Sequence, residues 1–458
     1  MLESLKDKKI LILGFGKEGI DTYLALRKIF PAKILGIADR KGIMSYELGI
    51  RNLLTKDKNL KLYLGENYLN KVGEYDLIIK TPGISNNSFN PIARSESVSS
   101  TQITSQTEIF FDNFPGIIVG VTGTKGKGTT SSLIYEILKQ ASLRVYLGGN
   151  IGKPVLQYLL RARPDDIFIY ELSSHQLQNL KKSPQIAVFL NIMQDHLDYY
   201  KNQTEYERAK ANITLHQTKN DYLIFNNQDK KVKQIAQKSQ ATKIPFSLAK
   251  KNNLFKIISQ KDISLKGEFN LLNIIASVEV AKIFKIENKT IKQAIKNFKG
   301  LPHRLEFVGK FKNIEFYDNS MATIPQTTIL DLKTFKNKPI SLIAGGSNKG
   351  NNYTDLAKEI SKSSVLNLII LGEGTGQKIA EKVSNGIPPR NLNSVLGRAT
   401  LRNFFRAQTM KEAVKVCYEK TPKNGVCLLS PASASFNMFK DYKDRGEQFK
   451  KAVKFYAK

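Results

Sequence analysis

Cysteine is nearly absent from this 458-residue chain, which holds only Cys417 and Cys427. Two such residues build no disulfide framework and match no metal-ligand spacing, so the expected compartment is a reducing cytoplasm. Long apolar runs are also missing. None approaches the roughly 20 residues that a bilayer-crossing helix needs, and no membrane partner is expected. The opening Met1-Leu2-Glu3-Ser4-Leu5-Lys6-Asp7 lacks the basic-then-apolar order of a secretory leader. Acidic residues are scarce: 40 Asp and Glu stand against 71 Lys and Arg, for a net charge of +31. Basic surfaces bind phosphate backbones. Here the excess is mostly lysine spread through every segment, with short clusters such as Lys230-Lys231-Val232-Lys233, and no nucleic-acid motif accompanies it. Solvated lysine faces account for the charge, no nucleic-acid partner is expected, and the field favours small anionic substrates. There is no internal repeat and no low-complexity tract. A hydrophobic share of 41% and a charged share of 24% are those of an ordinary soluble globular protein. The length exceeds one compact core and implies about three domains.

What is present begins with Gly120-Val121-Thr122-Gly123-Thr124-Lys125-Gly126-Lys127-Gly128-Thr129-Thr130. This stretch follows the apolar run Ile117-Ile118-Val119 and leads into Ser131-Ser132-Leu133-Ile134-Tyr135-Glu136-Ile137-Leu138, which has helical spacing. Strand, glycine loop, lysine, hydroxyl residues and helix form the layout that cradles nucleotide phosphates: backbone N–H groups and the helix N-terminus face the anion, and Lys127 adds a point charge. The spacing departs from the strict Walker pattern. Val121 stands where its first glycine is required, and Gly128 takes the place of the usual magnesium-binding hydroxyl, which leaves Thr129 for that role.

A second glycine motif opens the chain. Lys9-Ile10-Leu11-Ile12-Leu13 leads into Gly14-Phe15-Gly16-Lys17-Glu18-Gly19, a helical stretch to about Phe30, and a second strand, Ile34-Leu35-Gly36-Ile37-Ala38, that ends at Asp39-Arg40. This is the dinucleotide fingerprint in its βαβ setting, and alone it would point to NAD. Another strand, Asp76–Lys80, runs into Thr81-Pro82-Gly83-Ile84, where Pro82 removes a ladder donor. A Ser/Thr-rich linker at Ser97–Thr104 is expected to close the domain. Further strands end in polar clusters. Ile167–Tyr170 precedes Glu171-Leu172-Ser173-Ser174-His175-Gln176, and Ile186–Leu190 precedes Asn191 through Asp198. Ligands bind at the carboxyl ends of strands in open parallel sheets, so these clusters should converge with the phosphate loop. Strands at 340–344, 366–371 and 426–429 continue the alternation, which makes every domain α/β.

Glu171 and His196 are placed to reach a magnesium ion, carboxylate oxygen being the more usual ligand. Lys210 falls on an apolar stripe. Thr204-Glu205-Tyr206-Glu207 reads as a capping box that starts a helix, and Tyr206, Ala209, Lys210 and Ile213 then share one face. Two fates are open to it. Burial would depress its pKa and free a neutral amine able to capture CO2 as an anionic carbamate ligand; alternatively, the stem packs while the ammonium reaches solvent. Gly300-Leu301-Pro302-His303-Arg304 opens the last segment, where Arg304 either stabilises a transferring phosphate or lies on the surface. Gly345-Gly346-Ser347-Asn348-Lys349-Gly350 and Ser430–Ser435 are small-residue loops able to bring backbone donors and Lys349 to a carboxylate.

These residues together resemble the Mur ligase family, and within it the branch that adds glutamate to UDP-N-acetylmuramoyl-L-alanine. The marks run in order along nearly the whole chain: Thr122–Lys127, Gly149-Asn150-Ile151-Gly152, Glu171–Ser174, Asp195-His196-Leu197-Asp198, Tyr206–Lys210, Pro302-His303-Arg304 and Leu429 through Arg445-Gly446. The resemblance implies three α/β domains: a Rossmann-like domain over 1–100 for the UDP substrate, a P-loop-type ATPase domain over 101–300, and a Rossmann-like domain over 301–458 for the amino acid. It implies a cytoplasmic, monomeric, ATP-dependent ligase of peptidoglycan precursor synthesis that works through an acyl phosphate. By the same resemblance, Thr129, Glu171, His196 and a carbamylated Lys210 hold Mg2+. ATP lies on Gly123, Thr124, Lys125, Gly126, Lys127, Gly128, Thr129 and Thr130, with Asn273, Arg304 and Asp318. Gly14, Phe15, Gly16, Asp39, Arg40, Thr81 and Gly83 hold the UDP end, Asn150, Ser173 and Gln176 the muramoyl end, and Thr323, Lys349, Ser435, Phe436 and Tyr442 the amino acid. Departures from the branch are also visible. Asn319-Ser320-Met321-Ala322-Thr323-Ile324 stands where Asp-Ser-Lys-Ala-Thr-Asn is usual, so Met321 removes a cation and Asp318 takes the ribose contact one position earlier. Phe269-Asn270 replaces a His-Asn pair. Lys127-Gly128-Thr129 is similar to the folate polyglutamate synthetases, so a folate or L-glutamate ligase remains a rival; a nicotinamide dehydrogenase would leave the phosphate loop and Lys210 without a role.

Overall fold

The computed structural model describes residues 2–85, 101–150, 155–196, 199–348, 350–385, 403–436 and 438–458. Two compact units divide the chain: Met1–Ile258 with Leu272–Ile295, and Ser259–Leu271 with Lys296–Lys458. The first contains two parallel sheets. One takes β1 (Ile10–Leu13), β2 (Leu35–Asp39), β3 (Leu60–Leu64), β4 (Leu77–Lys80) and β5 (Gln102–Thr104) in the order β3-β2-β1-β4-β5. The other takes β6 (Ile117–Thr122), β7 (Val145–Gly149), β8 (Ile167–Glu171), β9 (Ile186–Phe189), β10 (Tyr222–Asn226) and β11 (Thr242–Phe246) in the order β11-β10-β9-β6-β8-β7. The second unit has β12 (Glu306–Phe311), β13 (Ile314–Asp318), β14 (Ile340–Ala344), β15 (Val365–Leu371), β16 (Asn403–Ala407) and β17 (Val426–Leu429), ordered β12-β13-β17-β14-β15-β16, with β12 antiparallel to β13 and the rest parallel.

The central strands are uninterrupted apolar runs because both of their faces are covered; on one face of the first sheet Leu11, Leu13 and Ile78 pack with Val72 and Tyr75. Ile10, Leu11, Ile12 and Leu13 of β1 are fully buried, and the helix Lys17–Ile29 lays Tyr23, Ala25 and Leu26 into the core that holds Ile10 and Ile12. Both glycine loops follow strands whose neighbours lead away to opposite sides, the position at which such sheets bind ligands. No helix among the described residues is long and apolar enough to cross a membrane.

Two local expectations are corrected. Gln102–Thr104, read as linker, is strand β5, paired through Ile103 with Ile78 of β4; two β-branched residues beside an open edge outweigh the turn-forming character of the surrounding serines. The helix expected at Thr204 begins at Gln203 and is capped by Asn202, whose side chain accepts from Glu205 N, while the Glu205 carboxylate accepts from Lys201 N. The reciprocal capping box lies instead at Ser173 and Gln176.

Asp21, on the helix after β1, ties the two sheets of the first unit together. It is buried, and its carboxylate accepts from Gln106 Nε2, Leu156 N and Gln157 Nε2, each at 2.9 Å. Replacing it with alanine leaves the buried Leu156 N without its acceptor, whereas Gln106 Nε2 keeps Glu18 O and Thr22 Oγ1 and the exposed Gln157 turns to water. Asp21→Ala should cost about 1–3 kcal/mol in urea unfolding; a loss below about 0.5 kcal/mol would show that the carboxylate is dispensable.

Candidate active site

The phosphate loop is built on its neighbours. Gly123 has φ 153° and leaves no room for a side chain: a Cβ there would lie 2.9 Å from Leu190 Cβ. Thr124 N donates to Asn191 O, and Lys125 exchanges its N–H and C=O with the Asn191 carboxamide, all at 2.9 Å. Thr124 Oγ1 meets Tyr206 OH at 2.9 Å and accepts from Met193 N. Gly126, at φ 88°, caps the helix Lys127–Gln140, whose first turn carries Gly128, Thr129 and Thr130. Asn273 lies against this cap, since a Cβ on Gly126 would stand 2.3 Å from its Oδ1.

Lys127 and Lys210 converge on one atom. Each donates to Gly123 O at 3.0 Å, and Lys127 also reaches Thr124 O at 3.1 Å. Lys210 is 1% exposed, with its ammonium 4.9 Å from the Tyr206 ring centre, so the solvent-reaching alternative is removed. Burial, and then the neighbouring Lys127 charge, hold its pKa well below the ordinary 10.5, against the pull of Asp195 and Glu171. Those carboxylates stand at the ends of β9 and β8, so the strand-end clusters do meet. Glu171 is buried; Oε1 accepts from Asn150 Nδ2 at 3.2 Å, and Oε2 is enclosed with no hydrogen-bond partner. A buried, unsatisfied carboxylate oxygen next to a phosphate loop fits a divalent cation. His196 is exposed, in a left-handed turn at φ 56°; its carbonyl accepts from Tyr199 N and Tyr200 N, and its ring lies 4.8 Å from that of His175. Ser173 and Gln176 start the short helix Ser174–Leu177 after β8.

In the first sheet, Gly14 (φ 90°) packs against Thr81, where a Cβ would lie 2.1 Å from Oγ1, whereas a Cβ on Gly16 would meet nothing within 4 Å. The fold therefore demands Gly14, and Gly16 leaves backbone open to a ligand. Asp39 accepts from Phe15 N and Lys41 N. Phe15 offers only its backbone, its ring being buried between Tyr23 and Tyr46. Arg40 and Gly83 are exposed.

In the second unit, the two small-residue loops come together. Ser347 N donates to Ala434 O at 2.8 Å and Gly345 N to Pro431 O at 3.0 Å. Fully buried Arg445 joins Ser433 O to the backbone and hydroxyl of Ser320, close to Thr323, while Ser320 Oγ donates to Tyr442 O. Ser435 is buried at the loop end, and Phe436 is exposed. Asp318 is engaged by His303 Nδ1 at 2.7 Å and Ser320 N at 2.8 Å. A Cβ on Gly446 would fall 2.1 Å from that His303 nitrogen, which explains the glycine after Arg445. Arg304 is half-buried in the same unit. Lys349, like Ile151, Gly152, Leu197 and Asp198, lies outside the described residues. Sequence reasoning gave no role to Asp195, Asn191, Glu18 or Arg445; Arg445 was visible only as part of a terminal motif.

Residues 121–281 match the Mur ligase middle domain. The chain is 34% identical to a UDP-N-acetylmuramoylalanine–D-glutamate ligase from Clostridioides difficile (strain 630), covering 98% of this chain and 99% of that one. The chain belongs to the Mur ligase family. A second ligase of the same name, from Clostridium tetani (strain Massachusetts / E88), is 32% identical over 98% of this chain and 97% of its own. Among solved structures, the MurF ligase from Thermotoga maritima in complex with ADP shares the fold, with a TM-score of 0.57 at 14% identity, covering 100% of this chain and 98% of that chain. The Mur ligase fold thus accounts for the succession of three α/β sheets.

Lys210 also makes a stability prediction. The unfolded state binds its proton up to about 10.5, and the folded state releases it well below that value. The unfolded state therefore carries the extra proton, and this residue's contribution to stability rises with pH through that window. Lys210→Met, which keeps the volume, should raise thermal stability by about 1–2 kcal/mol at neutral pH and flatten this pH slope. A variant melting well below the parent would contradict the account.

Proposed function

We propose that this protein joins D-glutamate to UDP-N-acetylmuramoyl-L-alanine, with ATP activating the muramoyl-alanine carboxylate. One observation carries the chemistry: two lysines close on Gly123 O beside the half-satisfied carboxylate of Glu171, in a chain matched end to end by ligases of that name. A free carboxylate is a poor electrophile because its charge repels nucleophiles and its oxide leaves badly. A carboxylate oxygen bonds to the γ-phosphorus as its bond to ADP breaks, making an acyl phosphate; the amine of D-glutamate then attacks the carbonyl carbon, phosphate departs with the C–O bond electrons, and loss of a proton from the nitrogen leaves an amide. Lys127 offsets charge on the transferring group.

In this reading, Lys210 is neutral enough to add to CO2: its Nζ forms the N–C bond, a proton is lost, and a carbamate anion replaces the amine. Mg2+ held by Thr129, Glu171, His196 and that carbamate would polarise the phosphoryl oxygens. Gly123 through Thr130, Asn273, Arg304 and Asp318 serve ATP. Residues 1–100 hold the UDP end, 101–300 the nucleotide, and 301–458 the amino acid through Thr323, Lys349, Ser435, Phe436 and Tyr442. The enzyme acts as a cytoplasmic monomer on small molecules.

Phosphate release with UDP-N-acetylmuramoyl-L-alanine should depend on D-glutamate and stay near background with L-glutamate. Equal turnover with both, or none with either, would overturn the assignment. Lys127→Ala should reduce turnover by at least about 10³-fold. Lys210→Ala should also be inactive and regain part of its rate with added small carboxylates; full activity without additive would exclude the carbamate.

A further inference from the structure

A cleft of about 320 Å³ in the first unit is lined by Glu18, Lys80, Thr107, His175 and Gln176, among others. Glu18 stands in the first turn of the helix that follows the Gly14–Gly16 loop, so it belongs to the rim of the site that the proposed function gives to the UDP end of the substrate, whose diphosphate suits a glycine loop and helix N-terminus. Its Oε1 accepts from Gln176 Nε2 at 2.7 Å. That leaves the second carboxyl oxygen as the group available to a ligand in the cleft. An acidic side chain is an unexpected lining for an anion site, since an ionised carboxylate and a diphosphate sharing one low-dielectric cleft repel each other. The helix N-terminus beside it and Lys80 across the cleft favour the anion, so the carboxyl group is the one that must yield.

We propose that Glu18 receives the diphosphate as the neutral acid, donating its O–H to a phosphoryl oxygen while Gln176 holds the other carboxyl oxygen, so that substrate binding draws one proton from solvent. Glu18 is therefore a positioning and recognition residue, and the inference rests on the proposed function. Its surroundings are consistent. Burial raises the Glu18 carboxyl to about 7, opposed by the Gln176 hydrogen bond and helped by Asp21 on the same helix. Tyr170 of β8 also feels its charge. The other charged or titrating groups around the cleft are Lys80 at the end of β4, His175, Glu108 and Lys181. Lys80 donates to Ile84 O at 2.7 Å and is lowered by burial to about 8. A diphosphate diester has no proton of its own that titrates near neutrality.

The test is calorimetric titration of the full chain with UDP-N-acetylmuramoyl-L-alanine at pH 7.0, in buffers of different ionisation enthalpy. The parent should take up about half a proton per substrate, because Glu18 starts about half ionised, with Lys80 adding about a tenth. Glu18→Gln should bind with uptake reduced to about that tenth, and His175→Asn should keep the full value. Between pH 6 and 8 the parent's Kd should weaken about twentyfold and that of Glu18→Gln only about twofold, the part due to Lys80. Binding without proton uptake in the parent, or uptake that persists in Glu18→Gln, overturns the role of Glu18 and leaves the ligase reading standing. Absence of any binding overturns both.

Discussion

Two lysine ammonium groups aimed at one peptide carbonyl set the character of this molecule. Gly123 O can satisfy a hydrogen-bond donor, but it cannot balance two charges, and Lys210 is sealed from water. The arrangement is therefore an electrostatic demand as much as a contact, and it is met either by loss of a proton or by arrival of an anion. It exists because Gly123 bends the chain where Leu190 would collide with any side chain, and because Asn191 clamps both polar groups of Lys125. Strands β6 and β9 thus jointly shape the loop, and the Lys210 helix closes it from above.

Both units enclose polar groups, in different settings. In the first, Lys210, Glu171 Oε2 and the hydroxyls of Thr130 and Ser131 are enclosed with too little to bond. Polar groups left short in a dry place bind phosphate and cations well, since no internal partner must first be displaced. In the second, Asp318, His303 and Ser320 bond to one another, and Arg445 joins Ser320 to Ser433 while its Nη1 is enclosed without a partner. That network fixes the shape of two glycine- and serine-rich loops. One set of groups awaits charge; the other holds a frame.

Most of the fold was legible because parallel strands covered on both faces must be apolar throughout, and the glycine loops announce where they end. Lys210 was legible as well, since helical periodicity alone puts it with Tyr206 and Ile213. The cap of its helix was misplaced by two residues because Asn202 and Thr204 are both good caps, and only the reach of Glu205 back to Lys201 decides between them. Glu18 gave no signal in sequence. Its environment is made by Gln176, 158 positions away, and by a cleft that exists only once two sheets share a core. Arg445 was hidden for the same reason: a basic residue near the end of a lysine-rich chain reads as surface, yet this one is fully enclosed.

The opening fingerprint shows why a motif must be read with its surroundings. Gly14 is demanded by Thr81 and Gly19 by the carbonyl of Gly14, so two of the three glycines serve the fold whatever is bound. Only Gly16, facing open space, is left for the ligand. Asp39, whose counterpart in a dinucleotide enzyme would grip a ribose, here also accepts from Phe15 N and Lys41 N and so braces the loop itself. What remains to distinguish one phosphate-bearing ligand from another is the rim: Glu18, Lys80 and Gln176. An acid on that rim discriminates by protonation, because it admits a diphosphate only after giving up its own charge. A glycine loop that is generic for phosphate can thus serve a particular substrate without any change to the loop.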